Sequence, residues 1–594
     1  MLAATLVLGE ALCALAGVHS VALSALALIA PGWALIPLLP APIRRHPLAA
    51  IAAAPALGVA VVSALLITLS RAGITLTATS VRIALLALVA LALFSWSPRR
   101  PQRPQISRAD ILAALGLLAA IALGLVLALQ VVGSTIVPGN DWAKYLLYAG
   151  EIRRHGRLLI ENPFWLLGVP FRDDPGVPAL YGATLLLSRA PAAALSHGIL
   201  VFSVLQITTV FAFTRAFWGR TAGVLAAALI AAVPASQDIL GWHGLANLAA
   251  LGLLALLFCY LAAYATGQLD ARSKVGLGLV LAGLAASHRL SGLIGFAITG
   301  AVVLLAIILK DRRRAIRDAA QIAAVGIVVG GGVYADLYTR ESTFGGSLPY
   351  TDYLGTKVNL TLALRDLSPL LAGIAAAALV LIALRHRRDR ALWPPIALLA
   401  VSVVLAYAWL ADIPNYYSRM VYYLPLALAP LVAAVAVRLP WRALAATASV
   451  VVIAVISVDA FDQAANVSSY YSFANPTALR GLDALDATLK PNEVVVTDRC
   501  WSFLATWLLS TRTLAALTPQ DIQPKAELHL AEQAQAILDA TASGRARARQ
   551  LGVRYLVVDP TCPGPSGGLL PPPLQGTVVF ESQRLAILRL PLSG

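Results

Sequence analysis

The chain has 594 residues, of which 59% are hydrophobic and only 12% are charged, and its mean hydropathy is +0.78. This balance leaves too little polar surface to cover a water-soluble globule of this size, which excludes an ordinary soluble enzyme. The formal net charge of +16 would suit a nucleic-acid partner, but the basic residues stand in brief clusters between apolar runs. We therefore expect a membrane protein whose basic clusters anchor its loops.

The first 460 residues carry repeated apolar runs, each long enough to cross a bilayer as a helix, which takes about 20 residues. They predict a polytopic α-helical bundle with about 13 to 15 transmembrane helices. The opening stretch lacks a preceding basic segment, so we expect it to belong to the bundle rather than to a cleaved signal. The predicted spans are 20–41, 48–69, 76–97, 110–132, 192–213, 220–234, 245–266, 274–287, 290–309, 319–338, 367–385, 391–411, 420–437 and 442–458, with 3–17 as a further candidate.

Basic clusters fall at alternate connections between these runs, and short loops rich in Lys and Arg are cytoplasmic. The clusters are Arg44-Arg45, Arg99 to Arg103, Arg215 with Arg220, Arg272 with Lys274, Arg312 to Arg314, Arg385 to Arg390, and Arg438 with Arg442. The opposite, outer side then holds the segments 133–190, 235–244, 339–366 and 412–419 and everything after 459. A plasma-membrane protein with a bundle over 1–460 and an extracytoplasmic domain over 461–594 is predicted.

Two outer segments are too long for simple turns. Within 133–190, apolar positions recur at helical spacing from Trp142 to Ile152, which predicts a helix lying in the membrane interface. The segment 339–366 contains Gly345, Gly346 and Pro349, a composition typical of a mobile cover.

The pattern changes after about residue 475. Helical stretches at 476–489, 501–509 and 526–541 alternate with strand-like stretches at 493–497, 554–559, 577–581 and 584–590, which predicts a small α/β domain. Cys500 and Cys562 each follow a predicted strand, at what should be the same edge of the sheet. They are expected to form a disulfide if the domain lies in an oxidising compartment, and free thiols are the alternative.

The outer segment after the fourth predicted span carries three carboxylates. Asp141 stands first, beside Lys144 and Tyr145, and its side chain either caps the interface helix or serves a reaction. Asp173 and Asp174 follow in a turn before Pro175. Paired acids of this kind bind a divalent cation or accept a hydroxyl proton, but they are also common as solvated turn residues. A divalent cation stays open as a cofactor.

Basic and aromatic residues recur at the other outer connections. His243 lies in the 235–244 turn, and His288 with Arg289 separates two short apolar runs. A guanidinium at this depth binds a phosphate or simply snorkels to the surface. A second outer arginine, Arg419, follows Tyr416 and Tyr417. Tyrosine at a membrane boundary is usually an anchor, but the density here exceeds what anchoring requires.

These segments together resemble the GT-C fold glycosyltransferases that use polyprenyl-phosphate sugars. The resemblance rests on Asp141 with Tyr145, Ala149, Ile152 and His155-Gly156 after it, on His288-Arg289, on the stretch 415–428, and on the terminal α/β domain. It implies that Asp141 is the base on the acceptor hydroxyl and that Arg289 and Arg419 hold the donor phosphate. Many relatives carry two adjacent acids where this chain has Asn140-Asp141, which puts a metal-binding role for this spot in doubt.

The resemblance implies an integral membrane glycosyltransferase of arabinosyl- or mannosyltransferase type, acting at the outer face. Its donor is a polyprenyl-phosphate sugar, and its acceptor is a hydroxyl of a cell-envelope glycan, lipid or protein. The implied substrate-binding residues are Lys144, Tyr145, Asp173, Asp174, His243, His288, Arg289, Tyr416, Tyr417 and Arg419. Two alternatives remain from the residues alone: a flippase for a lipid-linked sugar, which should show internal repeats and broken helices, and a non-catalytic envelope assembly protein.

Overall fold

The computed structural model describes residues 2–95, 107–133, 136–160, 174–309, 312–343, 358–411, 417–472, 474–490, 493–509, 511–516, 525–562 and 576–591. A helical bundle precedes a small sheet domain. The helices up to the sixteenth are α1 (Leu2–Leu15), α2 (Val21–Ile29), α3 (Pro31–Ala34), α4 (Ala41–Arg44), α5 (Pro47–Arg71), α6 (Ala78–Ser95), α7 (Arg108–Val132), α8 (Asp141–His155), α9 (Gly176–Ser188), α10 (Ile199–Trp218), α11 (Arg220–Ala232), α12 (Pro234–Gly241), α13 (Leu245–Thr266), α14 (Ala271–Ser287), α15 (Arg289–Leu309) and α16 (Arg312–Thr343). The bundle continues with α17 (Leu360–Leu367), α18 (Pro369–Leu381), α19 (Trp393–Ala406), the 3₁₀ helix Tyr417–Tyr423, α20 (Leu424–Ala436) and α21 (Arg442–Tyr471).

The bundle is built for a bilayer. Within the described ranges, nine helices are long and apolar enough to cross a membrane, or ten if the pair α11 and α12, bent by 47°, counts as a further span. Shorter apolar helices such as α1, α6 and α9 stand beside them. Apolar side chains such as Phe94 and Val328 are more than four-fifths exposed, as expected of a surface that faces lipid. The predicted polytopic helical architecture is confirmed, and the chain is a multi-pass membrane protein.

Several boundaries differ from the predicted ones. Helix α9 lies inside the segment 133–190 that the sequence assigned to an outer loop; its 13 residues are too few to register as a span. Helix α10 begins at Ile199 rather than 192, because Pro191 and a 3₁₀ turn precede it. The bundle boundary placed at residue 460 falls inside α21, which continues to Tyr471. Polar residues from Asp459 onward lower the hydropathy there without ending the helix.

The described basic connections meet at one end of the bundle. Arg44 pairs with Asp270, which joins the α4–α5 connection to the loop before α14. Arg215 and Arg220 share the carboxylate of Asp110 at the start of α7. At the opposite end, called the outer end here, lie α8, α9 and the terminal domain. This sorting agrees with the predicted threading of the helices.

The terminal domain is a five-stranded mixed sheet with the strand order β2-β1-β3-β5-β4. Strands β1 and β2 are parallel to each other, as are β1 and β3, whereas β5 is antiparallel to β3 and β4. The domain comprises α22 (Pro476–Thr488), β1 (Val494–Thr497), α23 (Ser502–Leu508), β2 (Arg512–Ala515), α24 (Lys525–Leu538), α25 (Ala542–Leu551), β3 (Val553–Val558), β4 (Thr577–Ser582) and β5 (Leu585–Arg589). Strand β2 and helix α25 were not predicted; β2 has only four residues.

Cys500 and Cys562 form a disulfide with a Cα–Cα separation of 6.0 Å. They follow β1 and β3, which are neighbours in the sheet, so the carboxyl ends of these two parallel strands meet at one edge as expected. The remaining cysteines, Cys13 and Cys259, are unbridged.

Candidate active site at the outer end of the bundle

Asp141 is the first residue of α8 and is half-buried. A carboxylate in the first turn of a helix is favoured by the helix dipole. The residue that caps the helix is Asn140, whose side chain makes no hydrogen bond to the α8 backbone. Asp141 therefore stands in the first turn of α8, one residue after the cap position.

The loop before Asp141 is pressed against the turn that carries Trp242. Gly139 has φ +83°, and a Cβ there would lie 2.8 Å from the carbonyl oxygen of Gly241 and from the carbonyl carbon of Trp242. The Gly139 N–H also donates to the carbonyl of Tyr471, at 3.0 Å. Only glycine combines this left-handed backbone with so close an approach. Asp141 is thereby held near the outer ends of α12 and α21.

The hydroxyl of Tyr471 lies within electrostatic range of Asp141, Asp238 and Arg365. Arg365 in turn pairs with Asp366, Nε to Oδ1 at 2.8 Å. Burial raises the pKa of Asp366 and outweighs the opposing effect of the Arg365 guanidinium. Acidic, basic and phenolic groups from α8, α12, α17 and α21 thus converge at the outer end.

Arg289 forms an ion pair with Asp174, from the segment that precedes α9. The Asp174 carboxylate accepts from the Arg289 Nε at 2.6 Å and from the Arg289 backbone N–H at 3.0 Å. Asp174 is only 7% exposed, whereas the Arg289 side chain keeps 30% of its surface. Asp174, which the sequence suggested as a substrate-binding residue, orients Arg289 in the structure.

His288 begins a chain of hydrogen bonds that leads to the 3₁₀ helix Tyr417–Tyr423. Its Nδ1 lies 2.7 Å from the Ser291 hydroxyl, which lies 2.7 Å from the Tyr423 hydroxyl. Tyr423 is within electrostatic range of Arg419. Hydrogen bonds therefore lead from Tyr423, which shares its 3₁₀ helix with Arg419, to His288, the chain neighbour of Arg289.

Arg419 stacks on Trp242, with its guanidinium carbon 5.3 Å from the ring centroid, a favourable cation–π distance. The Trp242 ring also lies 6.5 Å from that of Tyr422, and the Tyr422 hydroxyl donates to Asp238. This places Arg419 on the same turn that Gly139 contacts. Tyr417 is buried, and the predicted residues Tyr416 and Asp173 lie outside the described residues.

His243 is almost fully buried, with φ +64°. Burial, and secondarily the charge of His197, lowers the pKa of His243 to about 3. The ring is therefore neutral, and its Nδ1 has no hydrogen-bond partner among the described residues. A neutral imidazole has one donor and one acceptor nitrogen and no positive charge, so His243 contributes polarity and not charge to this turn.

Lys144 faces the terminal domain, and Tyr145 lies beside it in α8. The Lys144 Nζ lies 5.0 Å from the ring centroid of Tyr145 and 5.5 Å from that of Phe503 in α23. Tyr145 is 5% exposed. Lys144 therefore packs α8 against α23, and Tyr145 is a buried residue of α8.

Several polar residues of this end do not stand out in the sequence. The guanidinium of Arg340, near the end of α16, is 2% exposed and donates to the Tyr148 hydroxyl at 3.1 Å and to the Leu158 carbonyl at 3.0 Å. It also pairs with Asp336, one turn earlier. The Arg-Asp spacing of four residues near a helix end was the available signal. Asp238 is another such residue. The signal there was a carboxylate inside a short apolar stretch, which is costly near a membrane.

Among the described residues, no group of three or more His, Cys, Asp or Glu side chains is arranged to hold a metal ion. The paired acids considered from the sequence are not tested by this finding, because Asp173 lies outside those residues.

No protein-family model matches the sequence, and a search of curated proteins found no match. Solved structures do match. The oligosaccharyltransferase AglB of Archaeoglobus fulgidus, in complex with an inhibitory peptide and a dolichol-phosphate, aligns with a TM-score of 0.55 at 16% identity, over 75% of this chain and 69% of that chain. ArnT from Cupriavidus metallidurans in the apo state aligns with a TM-score of 0.54 at 14% identity, over 81% of this chain and 98% of that chain.

The chain has the GT-C fold. ArnT bound to undecaprenyl phosphate also aligns, with a TM-score of 0.51 at 13% identity. At these identities the likeness is one of fold, and fold alone does not assign a reaction.

Proposed function

We propose that the chain is an integral membrane glycosyltransferase that moves a sugar from a polyprenyl-phosphate donor to an acceptor hydroxyl at the outer face. The observation that carries the proposal is the convergence at the outer end. Asp141 is held there by the Gly139–Trp242 contact, on the same turn that receives Arg419, and hydrogen-bonded side chains lead from Tyr423 through Ser291 to His288, the residue before Arg289.

In the proposed reaction the acceptor oxygen attacks the anomeric carbon of the donor, and the bond from that carbon to the phosphate oxygen breaks. Asp141 takes the proton of the acceptor hydroxyl, which requires a carboxylate within hydrogen-bonding reach of it. The leaving phosphate gains negative charge, and fixed guanidinium groups stabilise that charge. Arg289, oriented by Asp174, and Arg419, stacked on Trp242, are the groups proposed for this role.

The donor and acceptor classes are supported by what the neighbours bind. AglB was solved with an inhibitory peptide and a dolichol-phosphate and, separately, tethered with an acceptor peptide, and ArnT was solved with undecaprenyl phosphate. A lipid phosphate suits a site at the end of a membrane bundle, since its tail remains in the hydrocarbon layer. We propose a glycan, lipid or protein of the cell envelope as the acceptor.

The location of the site is proposed to be extracytoplasmic, in the plasma membrane. Two observations support this orientation. The basic connections lie at the opposite end of the bundle, as the positive-inside rule requires of cytoplasmic loops. The Cys500–Cys562 disulfide suits an oxidising compartment.

The proposal is tested with the purified chain in detergent micelles, with a radiolabelled polyprenyl-phosphate sugar and an extract of envelope acceptors. We expect the label to pass to an acceptor and polyprenyl phosphate to be released. A flippase moves its substrate between leaflets and has nothing to transfer in a micelle. Donor that binds but is never consumed, together with donor translocation in proteoliposomes, would overturn the proposal in favour of a flippase.

A further inference from the structure

The residue before the proposed base reaches out of the bundle into the terminal domain. The Asn140 side-chain oxygen accepts from the Leu504 backbone N–H at 3.1 Å. The Asn140 side-chain nitrogen lies 3.3 Å from the Ser502 hydroxyl and 3.5 Å from the Arg499 carbonyl oxygen. The oxygen and the nitrogen of the Asn140 side chain therefore both contact the first turn of α23 or the residues just before it.

Aromatic contacts extend this junction along α8. The ring of Trp142 meets that of Trp507 edge to face, with centroids 5.1 Å apart. The Lys144 ammonium lies above the ring of Phe503. Asp141 stands between Asn140 and Trp142 in the chain, so both of its neighbours are fixed by α23.

The turn that leads into α23 is itself rigidly held. Asp498 accepts from the backbone N–H of Trp501 at 2.9 Å, and the Cys500–Cys562 disulfide ties the turn to the end of β3. Trp501 donates through its ring nitrogen to the carbonyl of Arg584 at 2.8 Å. The Arg584 guanidinium donates to the Tyr470 carbonyl, at the end of α21, at 3.2 Å. The domain is thus anchored on both sides of the proposed site.

We infer that Asn140 is a positioning residue through which the terminal domain, by way of α23, sets the direction of the Asp141 carboxylate toward the acceptor. This inference rests on the proposed function and gives the terminal domain a task in it. It also explains why this chain has asparagine, and not a second acid, at residue 140. A carboxylate would lack the N–H that faces the Arg499 carbonyl and would repel that oxygen.

The inference predicts an effect on turnover separate from donor binding. A shift of about 1 Å in a reacting group costs on the order of 100-fold in rate. For Asn140→Ala we expect kcat to fall about 10- to 100-fold while the affinity for a non-transferable polyprenyl-phosphate sugar stays unchanged. The milder variant Ser502→Ala removes one of the three contacts and should lower kcat less.

The matched control is Asn475→Ala. Asn475 caps α22 of the same terminal domain by accepting from the Ala478 N–H at 2.8 Å. Asn475→Ala removes a bond to the Ala478 N–H at the start of α22, and Asn140→Ala removes one to the Leu504 N–H at the start of α23. The two variants should therefore lower the melting temperature by similar amounts, but Asn475→Ala should leave kcat unchanged. The double variant of Asn140→Ala and Ser502→Ala should lose no more turnover than Asn140→Ala alone, because the two side chains share one interaction.

Wild-type kcat in Asn140→Ala, or an equal fall in kcat in Asn475→Ala, would overturn the inference. Additive losses in the double variant would also contradict it. Transfer by the wild-type chain and by Asp141→Asn separates this failure from the others. An inactive Asp141→Asn beside a fully active Asn140→Ala sinks only the positioning role. A fully active Asp141→Asn sinks the proposed base, and a wild-type chain that transfers no sugar sinks the proposed function itself.

Discussion

Arg289 is expected to affect both the stability of the fold and the binding of the donor. A single substitution changes both at once, and a double substitution separates them. Its guanidinium neutralises the buried Asp174 carboxylate, and it is proposed to hold the donor phosphate. Removing one partner of a fully buried pair costs about 3–5 kcal/mol. We expect about 2–3 kcal/mol for Arg289→Ala, because the arginine is 30% exposed and the carboxylate keeps the backbone N–H of residue 289.

Donor binding should weaken by a separate amount. Hydrogen bonds to a charged group contribute about 1.5–3 kcal/mol, which corresponds to a loss of affinity of roughly 10- to 150-fold. The assay is equilibrium binding of a non-transferable polyprenyl-phosphate sugar, measured beside the unfolding temperature. Arg153→Ala is the control, because Arg153 is an exposed outer-end arginine that donates to the Ala190 carbonyl.

The double variant Arg289→Ala with Asp174→Asn distinguishes the two roles. Asparagine keeps an oxygen for the backbone N–H and carries no charge, so the unfolding temperature should recover much of its loss. The donor affinity should not recover. Recovery of donor affinity together with stability would refute the reasoning, since it would show that Arg289→Ala weakens binding only by disturbing the fold.

Three further changes test the account at other positions. Gly139→Ala should abolish most activity and lower the unfolding temperature. The control Gly73→Ala lies at a similar φ of +82° with open space around its Cβ, so it should cost only the backbone strain of about 1–2 kcal/mol. Equal effects of the two substitutions in thermal and transfer assays would contradict the steric argument. Burial raises the pKa of Asp498 to about 7, so between about pH 4 and 7 the folded state keeps a proton on this carboxyl that the unfolded state has lost. The stability of the terminal domain should therefore fall as the pH rises from about 4 through about 7, as measured by thermal melts across that range. A stability that stays constant or rises would contradict this prediction. The Cys500–Cys562 disulfide closes a span of 62 residues, so its reduction should destabilise the terminal domain by up to about 4 kcal/mol. The measurement is protease sensitivity with and without reductant, and equal sensitivity would refute the prediction.

Much of the fold follows from local sequence, because a membrane span needs a continuous apolar run that hydropathy detects. Helix α13 was predicted to its observed bounds, Leu245–Thr266, since glycine stands on either side of it. Helix α9 was missed because it has only 13 residues, which are too few to register as a membrane span in a segment read as an outer loop. Strand β2 was missed because four residues carry too little alternation to register.

The sequence allows the candidate residues to be named, but it does not reveal which of them pair with one another. Asp141, Arg289 and Arg419 stand out because charge near a membrane is costly and therefore informative. The pairing of Arg289 with Asp174 spans 115 positions, and no local pattern encodes such a contact. The same holds for Asn140, whose partners in α23 lie more than 350 residues away.

The central claim is that Asp141 is the base, and one comparison tests it most directly. Asp141→Asn is measured beside Glu151→Gln, which neutralises a carboxylate on the same helix that pairs with Arg154. General-base loss lowers turnover about 10²- to 10⁴-fold, so we predict that Asp141→Asn loses sugar transfer by at least that lower factor while still binding donor. Glu151→Gln should retain wild-type transfer. Wild-type transfer by Asp141→Asn, or an equal loss in both variants, would contradict the claim.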